Sequence, residues 1–498
     1  MNQLSRRSVL LGAAGVTTAL AWPATRAVAG PGYDRPPAFA EAQRAYLDIG
    51  FEHNEAGGYA WGESYFLLGL LRMYQAYGEN AYLDTFVDRL DHVTATTDQA
   101  RGVTDYQGRS GPVWRTAGNY TAGHAVITDG TGAPAVQLRW AGTRSAESTA
   151  EISAVDGDTF TLTLRNPSTA TVVEVAGVSL DPAAETYLVD VVNATYRSNL
   201  RWTAVDLRDQ PGPAPAPAAG TVAFDPQYYV FAVHTGMVAY PLALFARIVA
   251  EGTPGLRRRY GAAGERAGEA AAAAIAFHDE EFRIADGVGD YVWPKGAPIP
   301  FDGLIQPYNQ SHGPGQALAE LYRVTGDPEH RAKITAMLDG FARGVTTDAG
   351  GAYVWNYWPV HSELYSGYAA ADDLSSYTPS YGAVRTIEDI SHAAITIEFL
   401  DAADRAGIRH ADLDLSRIAR TFTQNVIRSG SEVWFRVDGT ADAAAANAVQ
   451  AARWMPYARY DEEIYAQCRR VYDAVQLEPN QGSHALGIGY LNWARQRV

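Results

Sequence analysis

Three stretches of the chain set an ionisable group beside small residues at the start of an apolar run. They are Glu63 in Trp61-Gly-Glu-Ser-Tyr65, His312 in Asn309-Gln-Ser-His-Gly313, and His392 in Glu388-Asp-Ile-Ser-His-Ala393. Each is followed fourteen or fifteen residues later by a glycine, Gly78, Gly326 or Gly407, the residue type that ends helices in the left-handed conformation. A fourth copy runs from Asn480 through His484 to Tyr490, and a weaker fifth holds His234. If the copies are equivalent helices of one repeat, their N-terminal ends gather at one place, where unpaired N–H groups favour anionic ligands. Glu63, His234, Asn309, His312, Glu388, Asp389, His392, Asn480 and His484 are then expected to converge. Capping competes as an explanation, since Asn, Ser and Asp are the ordinary N-cap residues. A lone histidine at a helix start is also more often packed than catalytic.

Two loops add binding chemistry. Residues 105–115 carry Asp105, Arg109, Trp114 and Arg115; a bidentate arginine there could hold a carboxylate while the indole stacks on a sugar. The same composition also suits an Arg–Asp pinned domain junction. Residues 355–368 and 377–385 flank the Glu388 segment and form the densest aromatic patch of the chain, with Trp355, Trp358, Tyr377 and Tyr381. Sugars stack their C–H faces on such rings; filling a large core is the alternative use of 29 Tyr and 11 Trp. There is no Gly-x-Ser-x-Gly elbow, phosphate loop, dinucleotide fingerprint or His-Glu-x-x-His. No cofactor is expected. A divalent cation stays open, but no histidine pair has close ligand spacing.

The elements that must position these residues fall into regions of different period. Residues 37–114 repeat apolar positions every three or four residues, as helices do. From about 120 to 208 the period drops to two, and seven short stretches, 187–192 among them, read as strands of an all-β insert. Residues 209–220, rich in Pro and Ala, read as a stiff linker. Helical periodicity then resumes to the end. The expected domains are thus 30–119 with 221–498, 120–208, and the linker 209–220. Aromatic hairpins recur at 289–294, 351–355 and 431–435. The fold expected is mainly α: five or six helical hairpins in an (α/α) toroid, interrupted by the β insert.

The N-terminus begins with a polar stretch ending in Arg6-Arg7, then an apolar run of about thirteen residues from 9 to 21, too short to span a bilayer. Ala27-Val28-Ala29 follows, a signal-peptidase pattern, so residues 1–29 read as a twin-arginine signal peptide. The expected location is secreted or extracytoplasmic. The single Cys468 excludes an intrachain disulfide, and no later segment reads as a membrane span. A net charge of −16 argues against nucleic acid as a partner.

On these motifs and this punctuation the helical regions resemble the (α/α)-toroid carbohydrate-active enzymes: polysaccharide lyases, uronyl hydrolases and glucuronyl C5-epimerase-like proteins. The resemblance implies a polysaccharide or oligosaccharide substrate. The favoured reading is a lyase cleaving a uronic-acid polysaccharide by β-elimination. It would use His392 or His312 as base and Tyr381 as acid, with Asn309, Asn480 and Arg109 on the carboxylate. The second is a glycoside hydrolase with a carboxyl pair drawn from Glu63, Asp105, Glu388 and Asp389. The third is a non-catalytic carbohydrate-binding protein.

Overall fold

The computed structural model describes residues 32–52, 54–199, 201–475 and 477–497. The expected signal peptide lies outside them. The chain is mainly helical with small antiparallel sheets. Its helical body comprises α1 (Pro36–Asp48), α2 (Ser64–Tyr77), α3 (Asn80–Ala95), α4 (Ala232–Ala250) and α5 (Pro254–Ala276). It continues with α6 (Tyr308–Thr325), α7 (Pro328–Gly344), α8 (Ile390–Arg405), α9 (Glu463–Ala474) and α10 (Gly482–Arg495). A buried 3₁₀ segment, Val449–Arg459, precedes α9.

Apolar surface decides which helices go inside. In α4 every residue from Ala232 to Val249 is buried, as expected of a helix apolar all round. Helix α2 packs on α4, α4 on α6, α6 on α8, α8 on Val449–Arg459, that segment on α10, and α10 on α2, so the sequence of contacts returns to its start. Helices with one wet face lie outside: α3 on α2, α5 on α4, α7 on α6, α9 on Val449–Arg459, and α1 on α10. Glycines let the inner helices close up. A Cβ on Gly236 of α4 would lie 2.2 Å from the Pro314 nitrogen of α6, and one on Gly482 would lie 2.1 Å from the Gly62 carbonyl. Gly78 and Gly326 cap α2 and α6 with φ of 70° and 69°, the left-handed geometry their sequence positions predict.

Helix α4 corrects one expectation: 19 residues with mean hydropathy 1.4 are long and apolar enough to cross a membrane. Here that apolar surface is spent on the neighbouring helices.

The β region has its own core. Strands β1 (Gly123–Thr128), β2 (Pro134–Trp140), β3 (Thr149–Asp156), β4 (Thr159–Arg165), β5 (Val173–Ser179), β6 (Trp202–Asp206), β7 (Gly220–Ala223) and β8 (Asp225–Pro226) form two antiparallel sheets. Their orders are β6-β2-β1-β8 and β5-β4-β3-β7. Both bury side chains in one cluster around Trp140, Trp202, Phe160 and Leu162.

Two expectations change here. Residues 187–192 do not form a strand but lead into the helix Leu188–Asn199. Leu188 and Val192 are buried one turn apart, and the Asn193 amide holds the Ala204 backbone from both sides. Nor do residues 209–220 stand off as a spacer. Ala216 is buried in the β core, the Pro215 carbonyl accepts from Gly130 N, and residues 220–226 then complete both sheets. Pro and Ala are apolar, so a stretch that reads as a stiff linker can equally lie flat on a sheet.

Candidate active site

The segment 387–389 runs extended between two aromatic hairpins. Asn356 bridges Ile387 on one side and Arg436 bridges Asp389 on the other; Glu388 N donates to the Trp355 carbonyl, and Val437 N donates to that of Glu388. The extended backbone then turns into α8 with Asp389 as N-cap, its carboxylate accepting from Ser391 N at 2.9 Å and His392 N at 3.1 Å. That capping geometry is the reason Asp389 and His392, three residues apart, face each other. The other Asp389 oxygen lies 2.5 Å from His392 Nδ1, which leaves Nε2 as the imidazole's other edge.

Glu388 sits behind this pair and is fully buried. Among the described residues neither of its carboxyl oxygens has a hydrogen-bond partner. Burial, reinforced by the Asp389 charge, holds the Glu388 carboxyl well above the usual range. Burial alone would also raise Asp389, but attraction to His392 and the hydrogen bonds from His392 and Ser391 outweigh it and lower it to about 2. Two adjoining carboxyl groups are thereby held in opposite protonation states. The pattern is that of an acid paired with a carboxylate. Asp389 and His392 keep 12% and 23% of their side-chain surface, so the approach to Glu388 is over them.

Glu388, Asp389 and His392 are also the one group among the described residues that could hold a metal, each offering a ligand atom within 4.8 Å of the others. Asp389 and His392 already satisfy each other, whereas both oxygens of Glu388 are unpartnered.

The remaining sites expected from sequence do not join this one. Glu63 is bound by Arg89 of α3 through Nε at 2.7 Å and through Nη2, with the Tyr46 hydroxyl at 3.2 Å; it is a neutralised core group. His312 is stacked between Tyr308 and Phe399 and bonded to Thr396. His484 lies parallel to Tyr472 of the outer helix α9, and His234 is ringed by Trp61, Tyr120 and Phe231. Burial lowers all three, to about 3 for His312 and His234 and about 4 for His484. Equivalent repeat positions thus point in different directions, because a small change in helix rotation swings a side chain from mouth to core. Asn309 is buried with its Oδ1 unpaired, whereas Asn480 lies exposed in a turn.

The 105–115 loop is a junction. Asp105 accepts from Gln107 N, Arg109 N and Arg109 Nε, Arg109 stacks on Phe277, and Arg115 stacks on Tyr228 and donates to the Thr104 carbonyl. Trp114 is buried and donates to the Val93 carbonyl. Of the aromatic lip, Trp355 packs on Phe341 and Trp358 on Trp293, Phe301 and Tyr357. Tyr377 meets His124 and Arg139 of the β region, and the half-buried Tyr381 rests edge-on against Phe301. Trp355, Trp358 and Tyr377 are buried and not open for stacking a sugar as the sequence suggested.

The residue missed by sequence reasoning is Tyr357, whose ring lies 5.2 Å from His392. Burial pushes its hydroxyl up, and Gln310 holds it by a side-chain hydrogen bond. The signal was present in the aromatic stretch 355–358, where Trp355 and Trp358 drew attention by size.

No protein-family model and no curated protein matches the chain. Among solved structures, it is similar to a GH76 alpha-mannanase of Bacteroides thetaiotaomicron at 14% identity and a TM-score of 0.28, over 49% of this chain and 61% of that one. It is also similar to a family 76 glycoside hydrolase from a bovine Bacteroides thetaiotaomicron strain at 10% identity and a TM-score of 0.24, over 75% and 99% of the two chains. Likenesses this slight transfer neither fold nor activity.

Proposed function

We propose that the protein is an exported (α/α)-toroid enzyme that hydrolyses glycosidic bonds in a polysaccharide or oligosaccharide. The observation carrying this reading is the carboxyl pair Glu388 and Asp389, the first buried with both oxygens unpartnered and the second held by His392. The toroid reading is supported by the cyclic packing of the inner helices. In the reaction, Glu388 gives its proton to the leaving oxygen as the bond to the anomeric carbon breaks. Asp389 meets the positive charge that develops there. Water then supplies the hydroxyl of the new reducing end and returns a proton to Glu388. The two carboxyls are close enough that an oxygen of each lies within 4.8 Å of the other. Glu388 has no open surface, so its proton transfer requires the Asp389 and His392 side of the site to give way when a ligand binds.

This ordering departs from the lyase favoured on sequence. Both Arg109 and His312 are occupied in structural contacts, which weighs against two of its expected participants. Incubation with a panel of neutral and uronic-acid polysaccharides decides between the two. Hydrolysis gives new reducing ends and no enone absorbance. Growth of ultraviolet absorbance in step with cleavage would establish the lyase instead, and binding without product would leave a carbohydrate-binding protein.

A further inference from the structure

At the far end of the inner helices lies a cavity of about 390 Å³ whose lining includes Gln75, Asp404, Arg405, Met455, Arg459, Trp493 and Arg497. It gathers the C-terminal ends of α2, α8, Val449–Arg459 and α10. Helix α8, with 16 residues, separates it from Asp389 by about 24 Å. Three guanidinium groups crowd one indole: Arg497 stands 4.5 Å from the Trp493 ring, and Arg405 and the buried Arg72 each stand 5.5 Å from it.

Among the described residues the charges around this cavity do not balance. Asp401 is shared by Arg405, at 2.9 Å, and Arg459. Asp404 is shared by Arg459 at 3.3 Å and Arg409 at 2.6 Å. Two carboxylates therefore serve three arginines; Arg72 feels the charge of Glu398, and among the described residues no carboxylate pairs with Arg497. Arg497 donates to the carbonyls of Trp493 and Gln75. Arg72 donates to Gln75, Tyr240 and Tyr490 and keeps a buried Nε without a partner. Burial and the nearby charges of Arg72 and Arg405 lower Arg497 to about 10. In a chain of net charge −16, this excess of cations is local. The negative ends of the helix dipoles explain part of it, and two carbonyls are capped accordingly. The dipoles leave the cavity between the guanidinium groups unfilled.

We infer that this cavity is a binding site for a small oxyanion of the phosphate class, held by Arg405, Arg459 and Arg497. The three side chains come from the end of α8, from Val449–Arg459 and from the residues after α10, so an anion between them would meet donors from three elements. That arrangement suits an anion with several oxygens better than a single planar carboxylate. Met455 and Trp493 supply an apolar wall on which the body of a phosphorylated sugar could rest. The inference is independent of the chemistry at Glu388.

The test uses the whole chain in chloride buffer of low, fixed ionic strength, titrated with inorganic phosphate and separately with a hexose phosphate by calorimetry. Saturable binding is expected, weakened about tenfold or more in R497Q and in R405Q, with glycan cleavage unchanged. Tighter binding of the hexose phosphate identifies a sugar-borne ligand, and equal binding identifies the free anion. Should R497Q fail to fold, R497K keeps the charge but loses the fork, and weaker phosphate binding is again expected. Absence of saturable binding beyond that of equal added chloride, or unchanged binding in R497K or R405Q, overturns the inference.

Discussion

Replacing Glu388 by glutamine separates the two properties that the site geometry ties together. In the unfolded chain the carboxyl titrates near its ordinary 4.5, whereas in the fold burial and Asp389 keep it protonated well above that. Above pH 4.5 the unfolded state gives up a proton that the folded state retains. Stability therefore falls as pH rises, by up to about 1.4 kcal/mol per pH unit, until the folded carboxyl itself titrates. The amide of E388Q has the shape of the protonated acid and no proton to lose. From pH 5 to pH 6 the variant should gain about 1.4 kcal/mol on the wild type in guanidinium chloride unfolding followed by tryptophan fluorescence. Over the same range its glycan cleavage should fall by about 10²–10⁴-fold, the usual contribution of a general acid. A variant that is more stable yet inactive is the signature of a protonated catalytic carboxyl. Parallel stability curves would show that Glu388 is charged in the fold, and retained cleavage would remove it from the mechanism; either result refutes the reasoning.

Other perturbations follow from the same contacts. D389N loses the helix cap and the His392 contact, so a destabilisation of about 1–2 kcal/mol is expected with near-complete loss of cleavage. Because Asp389 is lowered to about 2 from 3.8, its stabilisation is present above pH 4 and disappears as pH falls to 2. The wild type should lose about 2 kcal/mol across that range and D389N should not, as measured by denaturant midpoints. R89M strands the buried Glu63 without its partner and should cost about 3–5 kcal/mol. Any folded R89M should keep wild-type turnover; a selective loss of kcat would return Glu63 to the site. G236A drives a Cβ to 2.2 Å from Pro314 N and should destabilise by about 2–3 kcal/mol through separation of α4 and α6, seen as a lower Tm.

The sequence by itself determined the elements that local physics controls. Apolar periodicity placed α2, α6 and α8, Gly78 and Gly326 marked two helix ends, and the switch to period two marked the β region. It also brought Glu388, Asp389 and His392 to notice together, because an N-cap and its first turn are neighbours in the chain and need no long-range contact to meet. What local pattern could not carry was the direction in which each repeat faces. His312, His392 and His484 occupy matching positions, yet one is stacked in the core, one stands at the site and one turns to an outer helix. Only the packing of helix on helix sets that rotation. Packing likewise gave Glu63 a guanidinium partner from α3 and laid residues 209–220 on a sheet. The protonation of Glu388 belongs to the same class. A carboxyl next to an aspartate in sequence is unremarkable in water, and becomes an acid only when tertiary structure removes the water and leaves its oxygens without partners.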